Sequence, residues 1–399
     1  MNILLVNPFA LSSTGGVVTA VRMLCHEWTK QGHHVTLLVP GETNRLQSIG
    51  TMNGVSVYAG YLRVPIIKES LLRGVISFCL FFPFTLLELY RFTAQKQIHA
   101  VNIQYPWPWM FYFAVLRMIC RWKLVVTLQG NDVHDLPIVS WDHRLFVKWL
   151  LKSADSVIGV SRSLLDKACS MFPGLALRTS VVPNGASIAA AANKSPVVSR
   201  EGIPREYILT VGHIIHRKGM DLLIKALKAA HERGSDLNLV IVGEGPEQEN
   251  LLALARELGV SKQVHFAGNQ PHERTLEFYR GCLFFVLSSR AEGLPLVIVE
   301  AMANRKAVVA TRVDGVPEIV QDGTTGLLVE PEDPQSLAAA LITLYKDREL
   351  RDKCAQRGRE RALQKFTWEV IAIQYLSIFG VVSDVRSGEN GKTDLKRTA

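Results

Sequence analysis

The chain of 399 residues is long enough for about two to three domains, at roughly 150 residues per domain. Its composition, 48% hydrophobic and 20% charged, is typical of a globular protein and excludes a disordered or fibrous chain. The six cysteines are far apart and lack metal-ligand spacing, which argues against a disulfide framework or a structural zinc and favours an intracellular protein.

The net charge of +9 comes almost entirely from the first half of the chain. Residues 1–185 hold 17 Lys and Arg against 9 Asp and Glu, whereas residues 186–399 hold 28 against 27. The first half also holds six of the seven tryptophans. This imbalance indicates two domains with different partners, and the basic half would suit nucleic acid, an anionic membrane surface or a phosphorylated substrate.

The order of elements in the first half predicts a parallel α/β sheet. Residues 3–7 form an apolar run, a small polar loop ends at Gly15 and Gly16, an amphipathic helix is predicted over 17–31, and a second apolar run covers 35–39. Strand, loop, helix and strand in this order require a crossover connection, which joins parallel strands. Further buried strands are predicted at 100–104, 124–128 and 156–160.

The stretch 74–87 carries no charge, but it is shorter than the roughly 20 residues that span a bilayer, and Pro83 interrupts it. Cations border this stretch and the aromatic segment 105–113, an arrangement typical of proteins that lie on anionic lipid. A buried helix with a solvated rim is the alternative. No module of a nucleic-acid-binding protein is recognisable. The bordering cations are Arg63, Lys68, Arg73, Arg91, Lys96, Arg117, Arg121 and Lys123.

The second half repeats the alternation of strands and helices after a linker that begins at Pro183 and ends near Ser199. Two separate series predict two doubly wound α/β domains, whose ligands bind at the carboxyl ends of the strands, in the cleft between the domains. Residues 334–380 are predicted to be helical, and a loose polar tail follows. Strands are predicted at 207–211, 237–242, 264–267, 283–287, 307–310 and 326–329, with helices at 220–232, 248–258 and 275–281.

Two glutamates stand at the start of an apolar helical segment. Pro295 is expected early in this helix, which puts Glu292 in the loop before it and Glu300 more than one turn inside. Free N–H groups at such a helix start can bind a phosphate, while a carboxylate is available for hydroxyl groups of a sugar or ribose. The alternative is a capping role for Glu292 and a surface position for Glu300. The N–H groups are those of Gly293, Leu294, Leu296 and Val297.

A second candidate site follows the strand predicted at 207–211. Its loop begins at Gly212 and carries Arg217 and Lys218 just before a helix. Two cations at a strand end suit a diphosphate, because Arg can bind two oxygens at once and Lys acts as a point charge. Solvated surface charge is the alternative. The Gly15–Gly16 pair would permit close approach of a phosphate or sugar, or simply form a tight turn into the helix.

The second half resembles the nucleotide-sugar-binding domain of family 4 glycosyltransferases, the retaining group with the GT-B fold. Its signature of two glutamates separated by seven residues is matched by EGLPLVIVEAMA. The resemblance extends through VGHIIHRKG, VGEGPEQENL and VHFAGNQ, and in the first half through VVTLQGNDVHD, VIGVSRSLL and VVPNG. It implies an α/β fold of two facing Rossmann-like domains, with an acceptor-binding domain at 1–185 and a donor-binding domain at 186–366. A helix at about 367–382 returns to the first domain, and 383–399 form the tail.

The resemblance also implies a role for each candidate. Arg217 and Lys218 would hold the donor diphosphate, Glu300 the ribose hydroxyls, and Glu292 would face the transferred sugar. The backbone would contribute the remaining phosphate and sugar contacts, and one segment would border the base. The backbone contacts fall on Gly15, Gly16, Gly212, Gly293, Leu294, Leu296 and Val297, and the base segment on Asn269 and Gln270.

Two positions depart from the family pattern. His213 stands where many members have Arg, and Gln129 where many have a histidine that points to the reacting sugar. Gln129 can form hydrogen bonds but cannot act as a general base. Asp132 and His134 are nearby candidates for the acceptor or sugar side, with loop capping as the alternative for each.

The resemblance implies transfer with retention, from a UDP- or GDP-sugar, with no cofactor and no metal; no Asp-x-Asp dyad stands out. We predict an enzyme acting on a polysaccharide or lipid-linked glycan, cytoplasmic and peripheral on the inner face of the membrane. The alternatives are a soluble glycosyltransferase for small molecules, an epimerase of the same fold, and a non-catalytic protein that binds sugar nucleotides.

Overall fold

The structure, a computed structural model, describes residues 1–11, 13, 15–43, 45–64, 71–186 and 202–381, with side chains throughout except at 71–75 and 77. Most of the predicted linker, the predicted tail at 383–399, Lys68 and the side chain of Arg73 therefore lie outside the described residues.

Within its described residues, the first half of the chain forms an eight-stranded sheet. Its strands are β1 Asn2–Val6, β2 His34–Pro40, β3 Gln47–Met52, β4 Val55–Gly60, β5 Ala100–Gln104, β6 Lys123–Leu128, β7 Ser156–Gly159 and β8 Thr179–Val181. Its helices are α1 Gly16–Lys30, α2 Leu71–Gln95, α3 Phe111–Leu116, α4 Asn131–His134, α5 Trp141–Ser153 and α6 Arg162–Met171.

The strand order of this sheet is β3-β4-β2-β1-β5-β6-β7-β8. All neighbours are parallel except β3, which pairs antiparallel with β4. The hairpin between β3 and β4 was not predicted, because the exposed edge strand β3 lacks an apolar run. Its turn residues Asn53 and Gly54 both have positive φ, 50° and 83°, as a two-residue hairpin turn requires.

The crossovers place helices on both faces of the first sheet. Helix α1 lies on one face, where Leu24 and Trp28 pack with Leu5 of β1 in one apolar cluster. The chain moves across the sheet in the opposite direction from β4 through β8, so right-handed crossovers put α2, α3, α5 and α6 on the other face. Apolar residues of these four helices share a cluster with Leu4 of β1.

The second half forms a six-stranded, entirely parallel sheet within its described residues, in the order β11-β10-β9-β12-β13-β14. These strands are β9 Ile208–Val211, β10 Leu239–Val242, β11 Val264–Phe266, β12 Phe285–Leu287, β13 Val308–Thr311 and β14 Gly326–Val329. The helices are α7 Met220–Glu232, α8 Gln248–Glu257, α9 His272–Gly281, α10 Leu296–Ala303, α11 Val316–Ile319, α12 Pro334–Lys346, α13 Arg348–Lys365 and α14 Trp368–Phe379. The predicted fold class, two doubly wound α/β domains, is confirmed.

Helix α14 packs on the first domain. Trp28 of α1 lies against Tyr375 and Phe379, with ring centroids 5.8 and 5.4 Å apart, and its Nε1 donates to the Ala372 carbonyl at 3.2 Å. Gly185 passes so close to Trp368 that a Cβ would lie 2.7 Å from the indole ring. Glycine at this position therefore lets the chain leave the first domain beneath the returning helix.

The aromatic segment at 105–113 is mostly core. Met110, Phe111, Tyr112 and Phe113 are at most 2% exposed, so an interfacial surface is wrong for these four residues. The reason is that α3 lies between α2 and α5, where Phe111 contacts Phe82 and Phe146. Among the described helices, none combines the length and apolar character needed to cross a bilayer. All six cysteines are free thiols.

Candidate functional site

Two loops meet at the carboxyl edge of the second sheet, on either side of the point between β9 and β12 where the strand order reverses. The loop after β9 contains a 3-10 turn at His216–Lys218 and ends at Gly219. Gly219 has a φ of 61°, and a Cβ there would lie 2.0 Å from the carbonyl oxygen of Ser288, in the loop after β12. Because only glycine fits here, the two loops can touch.

Lys218 and Glu292 meet directly between these loops. Lys218 Nζ donates to Glu292 Oε1 at 2.6 Å, and Ser289 Oγ donates to the same oxygen at 2.6 Å. The backbone N–H of Glu292 donates to Asp314 Oδ2 at 2.7 Å, which fixes the loop. Glu292 is only 7% exposed, so this ion pair is desolvated and well oriented. Two of the predicted catalytic residues are therefore in contact.

Arg217 reaches across the cleft. Its Nη1 donates to Oδ1 of Asn131, on α4 of the first domain, at 2.8 Å. Its Nε is buried and has no hydrogen-bond partner among the described residues. Buried polar groups are normally hydrogen-bonded, so this Nε–H is an unpaired donor beside the cleft. Neighbouring His213, the first departure from the family pattern, is exposed.

Arg290 holds the cationic turn in place, and the sequence did not single it out. Its guanidinium binds both carboxylate oxygens of Asp221, at 2.7 and 2.9 Å, and donates to the His216 carbonyl at 2.7 Å. Its backbone N–H donates to the Arg217 carbonyl at 2.8 Å. The hydrogen bonds to Asp221 raise the pKa of Arg290 above its already high usual value. The strand-end turn is thus anchored from the loop after β12.

The helix after Glu292 begins one residue later than predicted. Pro295 is extended, with φ −76° and ψ 99°, and α10 starts at Leu296. The Pro295 carbonyl already accepts the first bond, from Ile298 N–H at 3.1 Å, so proline stands at the cap rather than inside the helix. The N–H groups of Leu296 and Val297 consequently have no carbonyl four residues earlier in the helix and are open to an anion.

Glu300 lies one turn into α10 and is half-buried rather than on the surface. Burial raises the pKa of its carboxyl group, and the charge of His272 and a hydrogen bond from Tyr279 partly offset this. Tyr279 is fully buried, and its single hydroxyl proton is shared between the Glu300 carboxylate and the Val297 carbonyl, which lies 3.1 Å from the hydroxyl oxygen. A partly desolvated carboxylate in this position gains by accepting hydrogen bonds from ligand hydroxyls.

The predicted base segment adjoins the same sheet edge. Asn269 and Gln270 follow β11, and Gly268 accepts a hydrogen bond from Gly243 N–H at 2.9 Å. Gly243 in turn follows β10, and a Cβ there would lie 2.0 Å from the Gly212 carbonyl oxygen. The loops after β11, β10 and β9 are therefore packed side by side.

Gln129 of the first domain is held by other amides. Its Nε2 donates to Gln104 Oε1 at 2.6 Å, and its Oε1 accepts from Asn184 Nδ2 at 2.7 Å. Both ends of the side chain are thus occupied within the first domain. Its backbone carbonyl faces the second domain, since a Cβ on Gly293 would lie 3.1 Å from that oxygen.

Asp132 and His134 differ in what they contact. The Asp132 carboxylate accepts the N–H groups of Gln129, at 2.9 Å, and Gly130, at 2.6 Å, which is a loop-capping geometry. Burial raises the pKa of Asp132 to about 7, although these hydrogen bonds oppose the shift. Burial lowers the pKa of His134, and Lys167, which donates to Nδ1 at 2.7 Å, lowers it further. His134 Nε2, which therefore carries the proton, is buried without a partner among the described residues.

Gly15 and Gly16 form the N-terminus of α1 at the cleft edge of the first sheet. Gly15 has a φ of 142°, and a Cβ on either residue would meet no atom within 4 Å. The space beside this backbone is therefore open to a ligand. Within the described residues, no group of three or more His, Cys, Asp or Glu side chains is arranged to hold a metal ion.

Both halves of the chain match known glycosyltransferase domains. Residues 194–361 match the family described as glycosyl transferases group 1, and residues 15–185 match the glycosyl transferase 4-like domain. An uncharacterized glycosyltransferase of Methanocaldococcus jannaschii is 30% identical over 287 residues, which are 72% of this chain and 76% of that protein. The chain belongs to the group 1 glycosyltransferases.

Two further proteins resemble this glycosyltransferase over a smaller part of the chain or in fold alone. The lipopolysaccharide core biosynthesis glycosyltransferase LpsE of Rhizobium meliloti is 36% identical over 43% of this chain and 48% of its own length. Anabaena HepE, solved in complex with UDP, shares 19% identity with a TM-score of 0.71, over 95% of this chain and 100% of that one. At that identity the likeness shows the shared GT-B fold. HepE has also been solved with UDP-glucose.

Proposed function

We propose that this glycosyltransferase moves a sugar from a nucleoside-diphosphate donor to a glycan hydroxyl with retention at the anomeric carbon. The proposal rests on the ion pair between Lys218 Nζ and Glu292 Oε1, which are 2.6 Å apart between the loops after β9 and β12. A cation that binds phosphate and a carboxylate that binds sugar hydroxyls lie side by side there, beside the open N-terminus of α10. These groups are complementary to a sugar diphosphate, which presents phosphate oxygens and sugar hydroxyls at its reacting end.

Each part of the donor would have a partner. Lys218 has three N–H donors and gives one to Glu292, so two remain for phosphate oxygens. Arg217 would add its free Nε–H, and the first N–H groups of α10 would hold a further oxygen. Glu300 would accept the ribose hydroxyls, and Asn269 and Gln270 would border the base. The UDP complexes of the similarly folded HepE favour a uridine nucleotide, and a guanosine nucleotide is the alternative.

The reaction would break the bond between the anomeric carbon and the diphosphate oxygen. An acceptor hydroxyl attacks that carbon from the same face and gives its proton to the departing diphosphate oxygen. Negative charge grows on the diphosphate as the bond breaks, and Arg217 and Lys218 would stabilise it. No side chain needs to act as a general base, which is compatible with Gln129 at the position where many members have histidine. No cofactor enters this scheme.

The acceptor would bind the first domain. We propose a polysaccharide or lipid-linked glycan, with the enzyme peripheral on the cytoplasmic face of the membrane. Two features support this choice: the 17 Lys and Arg against 9 Asp and Glu in residues 1–185, and the relative named for lipopolysaccharide core biosynthesis. A small soluble acceptor, epimerase activity, or sugar-nucleotide binding without catalysis are the alternatives that an experiment must separate.

The first test is a thermal-shift screen of UDP-, GDP- and ADP-sugars, because a ligand that binds only the folded state raises the Tm. We expect one nucleotide class to raise the Tm of the wild type and to raise that of Glu300→Gln less. Nuclear magnetic resonance of the product from the best donor then reads the anomeric configuration, and retention is expected. Free epimerised sugar, an inverted product, or no shift with any donor would overturn the proposal.

A further inference from the structure

Two helices of the first domain present large apolar side chains to solvent on the same face. Helices α2 and α5 both lie on the face opposite α1, and the short α3 is buried between them. Phe111 of α3 contacts Phe82 of α2 and Trp149 of α5, with ring centroids 6.1 and 5.9 Å apart. The outward sides of α2 and α5 therefore belong to one continuous surface, here called the α2–α5 face.

On α2 the exposed apolar residues form a stripe. Ile76, Leu80, Phe84 and Leu87 are 50%, 62%, 71% and 44% exposed. Their spacing of four, four and three residues puts them on one side of the helix. Single exposed apolar residues are ordinary, but a row of four on one helix indicates a surface that binds a partner or a membrane.

On α5 a second stripe, which was not predicted from the sequence, combines apolar and basic residues. Trp141, Leu145 and Trp149, at 71%, 53% and 40% exposure, are spaced four residues apart. Three exposed cations lie beside them, Arg144, Lys148 and Lys152. Nearby Arg117 is paired with Asp155 at 2.7 Å. No such ion pair involves the three cations of α5 within the described part of the chain.

We propose that the α2–α5 face docks on an anionic lipid bilayer. Interfacial helices combine Trp, Phe and Leu with Lys and Arg, which is the composition of this face. The acidic residues of α2 and α5 are Glu88 and Asp142, and both are half-buried. Glu88 is further occupied by accepting the Leu46 N–H at 2.8 Å. The face therefore complements negative charge, whereas protein interfaces are depleted in the Lys that stands here beside Trp.

The topology places one end of the α2–α5 face beside the cleft. Helices α2 and α5 both begin near the carboxyl ends of their strands, the edge that forms the cleft. Ile138, which is 83% exposed, and Trp141 lie at this end of α5. A bilayer against the face would thus reach the cleft rim. This last step rests on the proposed function, because it would deliver a lipid-linked acceptor; docking itself does not depend on it.

The test is co-sedimentation of the full chain with vesicles of phosphatidylglycerol and phosphatidylcholine in equal parts, and of phosphatidylcholine alone. We expect binding to the anionic vesicles only. The variant Arg144→Gln/Lys148→Gln/Lys152→Gln should lose about a hundredfold in partitioning, since each cation near an anionic surface contributes about a fivefold factor. Trp141→Ser/Leu145→Ser should also lose binding, because both side chains are exposed in the free protein and bury area only on the bilayer.

The matched control is Arg256→Gln/Lys262→Gln/Arg357→Gln, which removes three exposed cations from the second domain. It should bind like the wild type. Docking is overturned if the wild type stays in the supernatant, if the control loses as much binding as the α5 variants, or if those variants merely convert a dimer to a monomer. The assay contains no donor or acceptor, and donor-induced Tm shifts are measured separately, so failure of docking and failure of sugar transfer are distinguishable.

Discussion

Arg290 shows how one residue outside the cleft can set the position of the two cations inside it. Its guanidinium bridges Asp221 and the His216 carbonyl, and its backbone N–H holds the Arg217 carbonyl. Burial alone would raise the pKa of Asp221, but its pairing with Arg290 lowers that pKa below its usual value. The pair therefore stabilises the ionised form of Asp221 and, with it, the geometry of the turn.

We expect Arg290→Ala to lower the free energy of unfolding by about 2 kcal/mol, because it leaves the Asp221 carboxylate without its bidentate partner. Donor affinity should fall together with stability, since the Arg217–Lys218 turn is released. Arg312→Ala is the control: Arg312 forms ion pairs with Asp322 and Glu330 at the surface, and its loss should cost less than about 1 kcal/mol. Denaturant unfolding and donor titration measure both effects, and equal costs for the two variants would contradict the anchoring role.

Glu300 predicts a pH dependence of donor binding. Its ionised form is the one that would accept the ribose hydroxyls in the proposed complex, and burial raises its pKa. As the pH falls through this raised value, the ionised fraction and the donor affinity should fall, starting above the ordinary glutamate value of about 4.3. Titration of the donor from neutral to acid pH measures this, and Glu300→Gln should bind more weakly at neutral pH with a flatter profile.

The raised pKa of Glu300 affects protein stability in the opposite direction from donor binding as the pH changes. A carboxyl group whose pKa is raised on folding stabilises the native state only while it is protonated, and this contribution is lost as the pH rises through the native pKa. Glu300→Gln without donor should therefore be at least as stable as the wild type at neutral pH. A less stable variant with an unchanged pH profile of binding would contradict the role assigned to Glu300.

At the scale of elements, the turn between β9 and α7 depends on glycine. We expect Gly219→Ala to lower the free energy of unfolding by about 3 kcal/mol, because left-handed backbone strain adds to a clash with the Ser288 carbonyl. Gly234→Ala is the control, since its φ of 77° is also left-handed but a Cβ there meets nothing within 4 Å. It should cost about 1 kcal/mol. Thermal unfolding of the pair checks the difference, and similar costs would refute the close approach of the two loops.

The strands and helices differ in how well their positions can be predicted from the sequence. The strand at 100–104 is found at its predicted residues, and all five are buried, including the polar Asn102 and Gln104 that interrupt its apolar pattern. The hairpin of β3 and β4 was missed although Asn53-Gly54 marks its turn, since an exposed edge strand has no apolar pattern. A helical stretch was expected between the strands at 124–128 and 156–160, but the bounds of α5 were not predicted, because its exposed tryptophans obscure the amphipathic period.

At the scale of the whole molecule, the two domains are joined by specific contacts across the cleft. Glu318 of the second domain accepts the N–H groups of Arg162 and Ser163, at 2.7 and 3.3 Å, at the N-terminus of α6 in the first domain. Arg217 and Asn131 form a second bridge. Closure of this kind excludes water, which competes with the acceptor for the sugar.

We expect Glu318→Ala to favour the open arrangement by about 1 kcal/mol, or about fivefold, because a carboxylate at a helix N-terminus is worth that much. Small-angle X-ray scattering should show a larger radius of gyration, and donor hydrolysis should rise relative to transfer. Glu330 is an exposed residue of the same domain. Glu330→Ala should change neither the radius of gyration nor the ratio of hydrolysis to transfer. Identical scattering and product ratios for Glu318→Ala and the wild type would refute the bridge.

Sequence patterns could place Lys218 and Glu292 in one site, because each follows a strand of one parallel sheet and such ends converge. They could not supply Arg290, whose partner Asp221 lies 69 positions earlier in the chain, on a helix with no motif. Nor could they show that Gln129 is held by Gln104 and Asn184, since that depends on how three separate segments pack. Contacts between distant segments are fixed by packing, which no local pattern encodes.

The proposed transfer depends on Lys218, whose ammonium would hold the donor diphosphate beside Glu292. Its most direct test is calorimetric titration of the best nucleotide-sugar into Lys218→Ala and into Lys228→Ala, a control whose lysine lies on α7 paired with Glu232. Loss of a charge-assisted contact should weaken binding by about tenfold to a hundredfold in Lys218→Ala, while Lys228→Ala should match the wild type. Unchanged donor affinity in Lys218→Ala would contradict this role of Lys218.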